Sequence, residues 1–186
     1  MSATSFKVTF KLDEDDANYF RSLFRKAKKV AADQDQATVL KAARDLIETV
    51  RYSKKTPGFV LEAIETLQDL TEIIEDESYA APAKVRSEVL AALAYFANPE
   101  DLIPDDVPVL GFLDDAIMIK FVEEQFKHEL QAFRKFRRFV RGAEQRPWTQ
   151  IATERLPGRL AAMRSKLRAE VDRKIQRDRE RGMTRL

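Results

Sequence analysis

The chain has 186 residues, 33 of them Lys or Arg and 31 Asp or Glu, for a formal net charge of +2, with one histidine and no cysteine. The missing cysteine excludes a disulfide framework, thiol catalysis and any cysteine-based zinc or iron–sulfur site. The first residues lack the apolar stretch of a signal peptide and no apolar run approaches the roughly 18 to 20 residues of a spanning helix, so a soluble cytoplasmic protein with no membrane span is expected.

The near-zero charge hides an asymmetry. Residues 130–186 hold 17 Lys and Arg against 6 Asp and Glu, whereas residues 1–129 hold 16 against 25. An acidic body with a basic final third either neutralises itself, within or between chains, or meets an anionic partner. With 5 Gly and 7 Pro there is little punctuation, which favours long helices.

At the start, Phe6, Val8, Phe10 and Leu12 alternate with Lys7, Thr9 and Lys11, the period of a short strand. A lone strand needs a pairing edge from elsewhere, and a second copy of the chain is the simplest supplier. From there the pattern is helical. Asp13 to Asp16 form an acidic first turn leading into Phe20, Leu23, Phe24, Ala27 and Val30. After a polar break at Asp33 to Gln36 come Val39, Ala43, Leu46, Ile47 and Val50. Thr56-Pro57 reads as a cap and first position for a third helix with Val60, Ile64, Leu67, Thr71 and Ile74. Glu75 to Pro82 mark a break, followed by Val85, Val89, Leu93 and Phe96. Beyond the next segment a long helix carries Ile119, Val122, Phe126, Leu130, Phe133 and Val140, bounded by Gly142 and Pro147. His128 falls off this stripe and reads as exposed. A last helix has a narrow stripe, Leu156, Leu160, Met163, Leu167, Val171 and Ile175, among Arg and Lys, with Pro157-Gly158 as its start or a kink, and fraying from about Arg177. These patterns predict an all-α bundle of about six helices with one short N-terminal strand. Three regions are expected: 1–78, 79–142 and 143–186.

The segment Asn98 to Asp115, NPEDLIPDDVPVLGFLDD, holds six carboxylates, and no Lys or Arg occurs from Ser87 to Ile119. Like charges so close repel unless helix N-termini, a cation or a basic surface holds them. Asn98-Pro99-Glu100-Asp101 has the chemistry of a capped first turn, and Asp114 and Asp115 belong at the start of the long helix, where its dipole favours acids. Asp105 and Asp106, between two prolines, have no such account. Asp101, Asp105, Asp114 and Asp115 are the candidate ligands for a hard divalent cation, Mg²⁺ or Ca²⁺, which takes carboxylate oxygens. Zinc does not fit a chain with one His and no Cys. The remaining possibility is a lock between these acids and arginines of the basic third.

The stretch AALAYFANPEDLIPDDVPVLGFLDDAIMI resembles the signature of the YkvA-like family of bacterial domains of unknown function. The positions that carry the resemblance are Tyr95, Pro99, Asp101, Leu102, Ile103, Pro104, Asp105, Pro108, Gly111, Asp114 and Asp115. It implies a small helical domain over about 85–125 and no assigned activity. Some members follow the Asp pair with a membrane-like helix; here Lys120, Glu123, Glu124 and Lys127 interrupt it.

The basic third offers a second candidate site. Arg134, Arg137, Arg138, Arg164 and Arg168 could meet phosphates of a nucleic acid, with aromatics such as Phe133 and Phe136 nearby for stacking. No phosphate-binding glycine loop or nucleophile–base pair is present, so an enzyme is not the expected reading. A non-enzymatic interaction or scaffold protein, self-associating or bound to a protein partner, is expected. A metal-dependent hydrolase using the aspartate cluster and a nucleic-acid binder are the alternatives.

Overall fold

The computed structural model describes residues 13–31, 35–53, 56–97, 112–144 and 150–182. They form an all-α bundle: α1 (Glu14–Ala31), α2 (Gln36–Tyr52), α3 (Gly58–Glu75), α4 (Ala83–Leu93) continued by a 3₁₀ turn (Ala94–Ala97), α5 (Leu113–Glu144) and α6 (Gln150–Glu180). No strand occurs among the described residues, and the strand expected at Phe6–Leu12 lies outside them, as does most of the acidic segment.

The first two helix starts have a local cause. Asp13 and Asp16 cap α1 reciprocally, each backbone N–H donating to the other's carboxylate at 3.1 and 2.9 Å. Asp35 caps α2, accepting from the Thr38 N–H at 2.9 Å and its hydroxyl at 2.7 Å. The third start differs from its expected form. Pro57 is the cap residue and has no side-chain oxygen. The Thr56 hydroxyl instead donates back to the Val50 carbonyl at 3.0 Å, closing the α2–α3 corner.

α3 is the hub, packing against α2, α4 and α5. Leu67, Leu70 and Ile73 are fully buried, and so are Val39 and Val50 of α2, Leu93 of α4, and Met118, Ile119, Leu130, Phe133 and Phe136 of α5. Removing such a side chain from water stabilises the fold by about 1.5–3 kcal/mol each before entropy is counted. α1 closes one side through Phe20, whose ring stacks on Phe121 of α5 at 5.5 Å.

α6 lies along α5 with a much thinner apolar seam. Leu167 and Val171 are buried, and Leu160, Met163 and Ile175 are partly buried. Pro157 sits inside this helix rather than at its start. The expected fraying from Arg177 is also corrected: α6 runs to Glu180, because Asp178 is held against α5.

Candidate functional site

α5 carries polar residues on two flanks, each facing a helix with complementary charge. On α3, Thr66, Asp69 and Glu72 recur every third residue and so share a face. That face meets Arg134 and Arg137 of α5. Arg134 Nε donates to Asp69 Oδ2 at 2.6 Å, and its Nη2 donates to Thr66 Oγ1 at 3.2 Å. Arg137 Nη1 lies 3.3 Å from Asp69 Oδ1 and 2.6 Å from Glu72 Oε2. The pairs line a cleft of about 830 Å³ whose rim adds Arg51, Glu62, Glu65 and Lys120. Its cations are largely matched by its own acids.

The second flank faces α6 and the α3–α4 turn. Asp76 builds that turn, its Oδ1 accepting from the Ser78 N–H at 2.8 Å and the Tyr79 N–H at 3.0 Å. Ala80 completes it with φ 49, a left-handed conformation. The turn drives Tyr79 into the core, where its ring meets Phe133 edge-on at 5.1 Å and Phe136 at 5.3 Å. Its hydroxyl donates to Glu129 Oε1 at 2.6 Å. Arg168 of α6 completes the group, with Nη1 donating to Glu129 Oε2 at 2.7 Å and Nη2 to Oε1 at 2.9 Å. One turn earlier on α6, Arg164 donates to the Ser78 carbonyl at 2.8 Å. Burial, and then the Glu129 charge, push the Tyr79 phenol well above the usual tyrosine range, so it remains an O–H donor. A cleft of about 640 Å³ opens beside this group, walled by Phe126, Val171 and Ile175, with Glu88 and Asp172 among its polar lining.

Two further ties hold α6. Glu170 accepts from Lys135 at 2.6 Å and lies 2.8 Å from Lys174. These hydrogen bonds hold its carboxyl at about 2. His128 is buried, contrary to its expected exposure, and its Nε2 lies 2.7 Å from Asp178 Oδ2. The His128 hydrogen bond holds the Asp178 carboxyl below the usual carboxylate range, with the Lys127 charge adding to it. Gln125 Oε1 and His128 Nδ1 are buried on the same flank without a hydrogen-bond partner.

Of the candidate cation ligands, Asp101 and Asp105 lie outside the described residues. Asp114 is buried and Asp115 half-buried in the first turn of α5, where acids were expected. Among the described residues, no three His, Cys, Asp or Glu side chains come together as a metal-binding group. Just before the Asp pair, Phe112 has φ 66 and a buried ring, and its carbonyl accepts the Ala116 N–H at 2.9 Å. Of the candidate phosphate-binding arginines, Arg134, Arg137, Arg164 and Arg168 point at acids or a carbonyl of the protein itself, and Arg138 is exposed. Arg134, Arg137 and Arg168 are thus paired with acids of α3 and α5, whereas the lock expected between the basic third and the acids of Asn98–Asp115 falls largely outside the described residues. Asp69, Tyr79 and Glu129 were not singled out by sequence. The one available signal was the every-third-residue match of Thr66, Asp69 and Glu72 to Arg134 and Arg137.

Comparison with known proteins places the acidic segment in context. Residues 85–121 match the model of a family described as "Protein of unknown function (DUF1232)". A stretch of 47 residues is 40% identical to the "Uncharacterized membrane protein YkvA" of Bacillus subtilis (strain 168), covering 25% of this chain and 44% of that relative. The chain therefore spans less than half the length of this relative. No solved structure matches the chain. Among the described residues, no helix is long and apolar enough to cross a membrane.

Proposed function

We propose that this chain, whose residues 85–121 belong to the YkvA-like family of unknown function, is a non-enzymatic interaction protein that self-associates. The observation that carries this reading is the fate of the acids deep in the bundle. Glu129 is clamped at both oxygens by Arg168, and Asp69 is shared by Arg134 and Arg137. Carboxylates whose oxygens are occupied this way make poor general bases or metal ligands. In sequence, Glu100, Asp101, Asp105 and Asp106 lie in a stretch, Ser87 to Ile119, that contains no Lys or Arg. In this reading the segment Asn98–Asp115 is the contact region, and a basic surface of a second copy is its counterpart.

Sedimentation velocity of the full chain tests this. A species heavier than the 21.4 kDa monomer is expected, weakened in Asp105→Asn/Asp106→Asn. A monomer at every concentration overturns the reading. Thermal melts with EDTA, Mg²⁺, Ca²⁺ and Mn²⁺ provide the second arm, since an ion that binds only the folded state must raise its midpoint. An unmoved midpoint is expected. A clear rise with a divalent ion favours the metal-dependent hydrolase, with Asp101, Asp105, Asp114 and Asp115 as ligands.

A further inference from the structure

Apart from Arg179, which is exposed and lines the cleft beside Glu129, the basic residues of α6 divide into two sets. Arg164, Arg168 and Lys174 are consumed inside the bundle by Ser78, Glu129 and Glu170. Arg155, Arg159, Lys166, Arg173 and Arg177 are all exposed. At about 100° per residue, these five fall within about 40° of a single line along the helix. Ala162 fills a gap on that line and Ala169 lies beside it, and both are exposed. Two acids border it, Glu170 on one side and Glu180 on the other, and Glu180 accepts from Gln176 at 3.0 Å. The Glu170 carboxylate is turned to Lys135 of α5 and to Lys174, Asp178 is tied to α5, and Asp172, off the row, lines the cleft beside Glu129. Arg159 also spreads over the Phe139 ring at 5.5 Å, which steadies that end of the row against α5.

The row spans about 33 Å at 1.5 Å per residue, with steps of about 6 Å and about 10.5 Å, and Pro157 lies between its first two members. Five like charges along one edge repel one another, and an anionic surface relieves that repulsion. We propose that this row is the face by which the protein lies on an anionic lipid bilayer.

Two features favour a bilayer over a nucleic acid. Cations that keep to one side of a helix can meet a plane along its length, whereas a duplex backbone winds away from it. Lipid headgroups diffuse and can satisfy uneven steps, whereas phosphodiester spacing is fixed. The row also lacks the aromatic and amide side chains that stack on bases or read their edges. With alanines between the cations, nothing large and apolar enters the membrane. The attachment is electrostatic, reversible and salt-sensitive.

Flotation of the full chain with vesicles tests the proposal, using phosphatidylcholine alone or with about 30 mol% phosphatidylglycerol, in about 50 mM and about 500 mM salt. Binding to the anionic vesicles alone is expected, lost at the higher salt. Lys166→Glu/Arg173→Glu should weaken it by about tenfold or more, and the neutral pair Lys166→Gln/Arg173→Gln by less. Arg25→Glu/Lys41→Glu changes net charge equally but lies on α1 and α2, and should retain binding. Absence of anionic-vesicle binding overturns the proposal. So does equal loss in the two charge-reversal variants, or row-dependent binding of a DNA duplex in place of vesicles. Self-association plays no part in this readout, so the two proposals fail separately.

Discussion

Glu129 of α5 and Arg168 of α6 form a two-point pair, Nη1 to Oε2 at 2.7 Å and Nη2 to Oε1 at 2.9 Å, with the glutamate side chain 6% exposed. Removing the arginine leaves a buried carboxylate with the Tyr79 hydroxyl as its remaining donor in this group. Arg168→Met should cost about 3 kcal/mol or more in urea unfolding. Glu129→Met/Arg168→Met should recover most of that, because an apolar pair leaves no stranded charge. A double variant as unstable as the single one would refute this account.

Acid should loosen α6 through Glu170. Its carboxyl is held at about 2 against an ordinary 4.5. A carboxyl with a depressed folded value adds stability above its unfolded value and loses it as pH falls through the folded one. The acid limb between about pH 4.5 and 2 should therefore be shallower in Glu170→Gln than in the parent. Denaturant melts across that window measure it; identical slopes would remove Glu170 from the account.

The end of α6 depends on Asp178. Asp178→Asn keeps the shape but removes the charge opposite His128 and Lys127. Global stability should fall only slightly. Local opening should increase more, with faster tryptic cleavage at Arg173, Arg177 and Arg179. Unchanged cleavage there would mean that the helix end is held by other contacts.

Ala80 offers a change of the opposite sign. Its φ of 49 is costly for a residue with a Cβ, and its side chain is exposed. Ala80→Gly should raise stability by about 0.5–1 kcal/mol, the left-handed penalty less the glycine entropy. A loss in chemical denaturation would show that the turn gains nothing from relief at this position.

Helix positions were legible because their causes are local. The acids at Asp13–Asp16, the break before Gln36 and the acid pair at Asp114-Asp115 all stand where the sequence pattern puts them. His128 was misread for a physical reason. The stripe Ile119, Val122, Phe126, Leu130 and Phe133 identifies one buried face of α5, but α6 covers a second one, lined by Gln125, His128, Ala132 and Phe136. A helix with two neighbours has two stripes, and the second contains enough polar side chains to pass for surface. The pair Glu129–Arg168 spans 39 residues, and no local rule connects positions so far apart. The core of the acidic segment, Asp101 and Asp105 included, lies outside the described residues.

Phe112 carries opposing demands at a single position. Its backbone, at φ 66, suits glycine, while its buried ring suits a large apolar side chain. Phe112→Gly relaxes the backbone and empties the pocket. Phe112→Ala empties the pocket and keeps the strain. A β-branched replacement fills part of the space at the highest conformational cost. Substitution tolerance at the entry to α5 should therefore be narrow for two unrelated reasons, and a saturation series at 112 would rank side chains by neither size nor flexibility alone.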